Sequence, residues 1–301
     1  MNRNRDSALR PYLELIRLPA VFTAPADVLM GAALIGSMGI PFAIPDLVCL
    51  VAASILVYCA GMATNDLFDQ RVDAVERPER PLPSGRLSRL NAWILVGSCQ
   101  VGALILASYV GQISAFAIGA TIISTYLYNS SMKATPIGPL IMGGCRFCNG
   151  CIGLSVAGMA AANHELVLLV PGLVALYVAV LTWIARYETH GDDTGTVYVL
   201  LVVQVLIALG PVSTMLIGDL TVASWHVAFG LLGPLWLLPN LFKFRGTIGA
   251  GQIRGAVMRG IMGIAVVNAA FAASVGQYAI ALIIVGLLVP GRFVGRWFYA
   301  T

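Results

Sequence analysis

Apolar runs about as long as a bilayer is thick recur along this chain, each closed by a short polar break, and that alternation predicts a bundle of membrane-spanning helices. A span needs roughly 20 predominantly apolar residues to cross ~30 Å of hydrocarbon. Such runs fall at Ile16–Met38, Pro45–Asp66, Leu90–Tyr109, Ile113–Tyr128, Pro139–Ala161, Leu166–Arg186, Val197–Ile217, Ala223–Phe242, Gly255–Val275 and Tyr278–Phe298. Gly, Pro, Asn and Asp punctuate them at Gly36–Pro41, Gly111, Thr135–Pro139, Asn163–Glu165, Gly218–Asp219 and Gly276, the residue types that break helices. Pro290-Gly291-Arg292 interrupts the last run, which marks it as an extra C-terminal helix. The expected fold is all-α and polytopic, with residues 1–301 forming one transmembrane domain.

Composition removes the soluble alternatives. The chain is 58% hydrophobic and 11% charged, with a mean hydropathy of +0.86, a balance that no water-soluble domain of this size shows. The net charge of +4 gathers in a few loops. The N-terminus, Arg71–Arg89, Lys133, Lys243–Arg259 and Arg292–Arg296 alternate onto one side, while Gly36–Pro45, Ala161–Glu165 and Gly218–Thr221 hold no Lys or Arg. The positive-inside rule makes the first side cytoplasmic, in a bacterial inner membrane by expectation. No basic stripe interleaved with aromatics points to nucleic acid. The first apolar run has no small-residue cleavage site and is expected to be retained. Six cysteines, all inside apolar stretches, suit packing rather than disulfides or a thiolate metal site.

Two acidic clusters at helix ends carry the chemistry. In Asn65-Asp66-Leu67-Phe68-Asp69-Gln70-Arg71-Val72-Asp73 the carboxylates stand at i, i+3 and i+7, on one face of a helix continuing out of the second span. Like charges grouped at a membrane boundary are costly unless paired or metal-bound. Mg²⁺ takes oxygen ligands, commonly one or two carboxylates with substrate phosphates, and suits this stripe. The second cluster, Glu188 to Asp193, sets Glu188 and Asp192 at i and i+4 with Asp193 adjacent, a second candidate Mg²⁺ site. Cations suited to diphosphate oxygens lie between: Arg80 and Arg86 in a Pro-braced loop, and Lys133 beyond Tyr128. Arg71, Arg186 and Tyr187 flank the clusters and join the substrate-binding candidates. Within the fifth run, Arg146 and Asn149 share a face; a charge there must meet a polar cavity or a partner.

At these residues the chain resembles the UbiA superfamily of intramembrane prenyltransferases. Asn65, Asp66, Asp69 and Asp73 are similar to the family's first Asp-rich motif, and Arg80-Pro-Leu-Pro-Ser-Gly-Arg86 to the loop that follows it. The likeness extends to Tyr128, Lys133, Asn149-x-x-x-Gly153 and the acids after the sixth span. Glu188 replaces the first aspartate of the usual second motif. Arg146-x-x-Asn149 and Arg186-x-Glu188 resemble the branch called EboC.

The resemblance implies a nine-helix ring around a central cavity open to lipid. It also implies a prenyl diphosphate donor, a hydrophobic or aromatic acceptor, and Mg²⁺ held by Asp66, Asp69, Asp73, Glu188, Asp192 and Asp193. Lys133, Arg80 and Arg86 would neutralise the diphosphate, Phe68, Tyr128 and Tyr187 would shelter an allylic cation, and Asn149 and Arg146 would position the acceptor. A terpene cyclase and a non-catalytic lipid carrier on the same scaffold stay open as alternatives.

Overall fold

A computed structural model describes residues 8–163, 165–188, 194–212, 226–243 and 249–298. The helices are α1 (Arg10–Leu15), α2 (Leu18–Val21), α3 (Ala24–Ser37), α4 (Ile44–Glu76), α5 (Arg89–Val110), α6 (Gln112–Leu127) and α7 (Gly138–Leu154). They continue as α8 (Leu169–Arg186), α9 (Thr194–Ile207), α10 (Val227–Gly230), α11 (Leu232–Lys243), α12 (Ala250–Ser274), α13 (Tyr278–Gly286) and α14 (Leu288–Phe298). There is no strand among the described residues. Among the described residues, seven helices are long and apolar enough to cross a membrane, and two shorter apolar helices, Ala228–Phe242 and Tyr278–Val294, accompany them.

Local chemistry sets the ends. Pro falls in the first turn of α3, α4 and α7, where its fixed φ suits the helix and its missing N–H costs nothing. Ser88 caps α5 by accepting from the Asn91 N–H. Pro78 disfavours helical geometry at Arg77, where α4 stops. The 33 residues of α4 span about 50 Å, well beyond the ~30 Å of hydrocarbon, so its last turns project past the span and carry Asp66 to Asp73 outward.

The bundle has an inside and a rim. The most apolar window of the α2–α3 span, Leu18–Ser37, is 83% buried and that of α12 72%, against 28% for α5, whose Ile94, Val101 and Ile105 face outward as a lipid-facing helix requires. α3 packs against α4, α7 and α12. The α3–α7 approach depends on glycine: a Cβ at Gly153 would lie 2.1 Å from the Val28 carbonyl oxygen, and one at Gly31 2.7 Å from that of Gly150. Small residues let backbones meet where lipid supplies no hydrophobic drive.

Gly153→Ala should therefore force α3 and α7 apart and destabilise the protein by about 1–3 kcal/mol, read as a lowered thermal unfolding midpoint. An unchanged midpoint would mean that the approach is not tight. At the C-terminus the tenth run divides at Leu287, and α14 folds back onto α2, with Gly291 against the Pro19 carbonyl.

Candidate active site

The acidic stripe of α4 holds the geometry its spacing predicts, and every carboxylate on it meets a cation from elsewhere in the chain. Asp66, which is buried, accepts through Oδ1 from Arg17 Nη2 at 3.1 Å and from Arg80 Nη1 at 3.5 Å. Arg80 Nη1 also donates to Asp73 Oδ2 at 2.6 Å, so one guanidinium bridges two carboxylates. Lys133 Nζ donates to Asp69 Oδ1. Asn65 Nδ2 leans on Asp66 at 3.4 Å. Three cations from the start of α2, the loop after α4 and the segment beyond α6 thus converge on one helix face.

Each cation is positioned by its own segment. Arg17 has φ 49°, the left-handed region that non-glycine residues rarely occupy, and it precedes α2 while its guanidinium reaches Asp66. Arg80 sits in the Pro-braced loop, which Ser84 tightens by donating to the Arg80 carbonyl at 2.6 Å. Lys133 follows a π-helical turn, Tyr128–Met132, a wider winding of the kind that often marks functional sites.

A cavity of about 210 Å³ runs inward from this cluster along α4. Arg17, Asn65 and Tyr128 line its outer end; Ser54, Arg146 and Asn149 line its inner end. Eleven residues of α4 separate Asn65 from Ser54, an axial distance of about 16 Å. The inner end is backed by Asp27, which is fully buried. Asp27 Oδ2 accepts from Arg146 Nη1 at 3.0 Å and from Asn149 Nδ2 at 2.8 Å, and Oδ1 accepts from Asn268 Nδ2 at 2.8 Å. Ser54 donates to Asn149 Oδ1 at 2.6 Å.

Other expected site residues do different work. Arg71 is exposed and, at about 100° per residue, lies on the face of α4 opposite the acidic stripe. Arg86 braces its own loop, donating to the Glu79 carbonyl at 2.7 Å and pairing with Glu14 at 2.7 Å. Arg186 donates to the backbone carbonyls of Lys133 and Thr135, fastening the segment that carries Lys133. Tyr187 packs against the apolar core.

The second cluster does not extend α8: the helix ends at Arg186, and Glu188 lies in the turn beyond, paired with Arg254 Nε of α12 at 2.7 Å. Asp192 and Asp193 lie outside the described residues.

Among the described residues, no three His, Cys, Asp or Glu side chains converge to hold a metal ion. The expected three-carboxylate cage is thus not preformed, because like charges on one helix face each draw a cation instead. The donor set still fits Mg²⁺, which takes one or two carboxylates and fills its remaining positions with water and phosphate oxygens.

Sequence reasoning missed Arg17, Asp27, Asn268 and Arg254. For Asp27 a signal existed: a lone acid inside an apolar run needs a partner, and Arg146 is a lone base inside another.

Residues 28–246 match the sequence model of the UbiA prenyltransferase family. The digeranylgeranylglyceryl phosphate synthase of Ignicoccus hospitalis is 34% identical over 127 residues, 42% of this chain and 40% of that one. The enzyme of the same name from Methanobrevibacter smithii is 35% identical over 141 residues, 45% of this chain and 48% of that one. The matched stretch thus spans under half the length of these curated relatives.

A UbiA homolog from Archaeoglobus fulgidus bound to GPP and Mg²⁺ shares the fold with a TM-score of 0.61 at 16% identity, over 87% of this chain and 99% of that one. The apo UbiA homolog from Aeropyrum pernix K1 gives 0.64 at 17%, over 83% and 96%. The curated relatives are archaeal, so the expected bacterial inner membrane gains no support from them.

Proposed function

The chain belongs to the UbiA prenyltransferase family of integral membrane proteins, and on that premise we propose that it transfers an isoprenoid chain from a prenyl diphosphate to an aromatic or hydroxyl acceptor, with Mg²⁺. The observation that carries this reading is the ring of Arg17, Arg80 and Lys133 around Asp66, Asp69 and Asp73 at the mouth of a membrane-embedded cavity. A carboxylate stripe alone would repel a diphosphate. Cations interleaved with it provide donors for the phosphate oxygens and leave the carboxylates to bind metal.

Asp66, Asp69 and Asp73 would hold Mg²⁺, with Glu188 and Asp192 as further candidates, and the ion would neutralise charge developing on the departing diphosphate. Arg80 and Lys133, released from their carboxylates, turn to the outer phosphate oxygens. Arg17 steadies the same group from the other side. Tyr128 lines the cavity mouth, where an aromatic ring would stabilise an allylic cation, and the apolar walls keep water from it. Arg146 and Asn149 orient the acceptor at the inner end. We place the cationic mouth on the cytoplasmic side, from the loop charges, and read residues 1–301 as one catalytic domain.

The test is purified protein with Mg²⁺ and a panel of prenyl diphosphates and acceptors, read by mass spectrometry. The expected product is acceptor plus prenyl group, lost on chelation and absent with donor alone. A cyclised hydrocarbon from donor alone would mean a cyclase instead, and no Mg²⁺-dependent product would leave only the carrier.

A further inference from the structure

The charge at the inner end of the cavity is cancelled from behind. Arg17 and Arg146 are the charged side chains among the cavity-lining residues, and each is already ion-paired, Arg17 with Asp66 and Arg146 with Asp27. Asp27 is fully buried and off the cavity wall, whereas the Arg146 side chain keeps 15% exposure. The guanidinium is also tied to α3 through the Thr23 carbonyl at 3.3 Å and the Thr23 hydroxyl at 3.1 Å. Three of the five N–H donors of a guanidinium are engaged in these contacts, so donor capacity is left for an oxygen in the cavity while net positive charge is not. Asn149 and Ser54 complete a polar but uncharged wall.

Resting on the prenyltransferase reading, we propose that Asp27 is a specificity-determining residue: by neutralising Arg146 it selects an acceptor whose deep end is an uncharged hydroxyl or carbonyl group, and rejects a carboxylate or phosphate there. An anion entering this end would shed its hydration and meet a cation and a carboxylate 3.0 Å apart, whose fields largely cancel. A neutral oxygen gives up far less water for the same hydrogen bonds. Size agrees, since a cavity of about 150 Å³ holds a benzene ring and this one is about 210 Å³, room for a single ring with a polar substituent. The glyceryl phosphate in the names of the archaeal relatives is an anionic group, so a neutral deep end would set this chain's acceptor apart from it.

The test is equilibrium binding of two labelled probes to the full chain in lipid nanodiscs, a phenol bearing a hydroxymethyl group and the same phenol bearing a carboxylate. Saturating inorganic diphosphate and Mg²⁺ occupy the cationic mouth, so that the carboxylate cannot bind there. The wild type should bind the hydroxymethyl compound roughly tenfold tighter, a difference set by one charge. Asp27→Asn, which leaves Arg146 uncompensated, should reverse the preference.

Equal or tighter binding of the carboxylate by the wild type overturns the proposal, as does no binding of either probe or an unchanged ratio in a folded Asp27→Asn protein. Should that variant not fold, the double variant Asp27→Asn, Arg146→Gln strands no charge and must keep the wild-type preference; a carboxylate preference there is equally fatal. Mg²⁺-dependent diphosphate release from a prenyl diphosphate, measured in the same preparation, reports on the transferase reading separately, because the binding ratios do not depend on turnover.

Discussion

Asp69→Ala and Asp66→Ala each abolish Mg²⁺-dependent turnover, by at least about 100-fold, the scale seen when one preorganised charge partner of a transition state is removed. The two variants differ in what else they disturb. Asp69 is 18% exposed and its partner Lys133 32%, so after truncation the ammonium reaches water and stability falls by no more than about 1 kcal/mol. The Asp66 side chain sits at 6% exposure between two guanidinium groups, and its loss takes from Arg17 this carboxylate partner, while Asp73 still holds Arg80. Asp69→Ala is therefore the cleaner probe. Its steady-state rate at saturating Mg²⁺, compared with a thermal unfolding curve of the same sample, separates lost chemistry from lost fold. Full turnover in either purified variant would sink the proposed function.

Asp27→Ala produces the largest loss of stability expected from any single polar substitution in the bundle. It takes the shared carboxylate of α3 from Arg146, Asn149 and Asn268 at once, three donors drawn from α7 and α12, and leaves the Arg146 charge uncompensated. Breaking a buried ion pair by removing one partner costs about 3–5 kcal/mol, because the remaining charge stays desolvated. Pairing it with Arg146→Ala should restore part of the loss, since the uncompensated cation goes too. Unfolding midpoints of the two single variants and the double variant form the cycle that measures this coupling. Additive midpoints would mean that Asp27 and Arg146 are not energetically joined.

The first acidic cluster was readable because its information is local. A helix brings i, i+3 and i+7 to one face whatever else the chain does, so Asp66, Asp69 and Asp73 align by backbone geometry alone. The second cluster shows where that logic ends. Glu188 and Asp192 share a face only if α8 runs on past Arg186, and it does not: the Tyr187 and Glu188 N–H groups close tighter bonds to Ile184 and Ala185, and Glu188 turns to Arg254 on a helix far along the chain. Arg86 and Arg186 were read from the sequence as substrate-binding cations, and in the fold both are engaged within the chain. Which carbonyls and carboxylates would claim them depended on loops folding back, which no spacing encodes.

By itself, the sequence determined the solvent, the rough limits of the long apolar helices, and the carboxylate stripe at the end of the second span. These follow from hydropathy and helical period, properties of residues near one another along the chain. The tertiary structure alone decided the rest: that Arg17 shares Asp66 with Arg80, that the lone acid of the first span neutralises the lone base of the fifth, and that the cavity has cations interleaved with carboxylates at its mouth and a single paired charge at its inner end. The physical reason is the cost of isolated charge in a low-dielectric interior. That cost guarantees that each buried ionised group finds a partner, but only the packing of α3, α4, α7 and α12 selects which one.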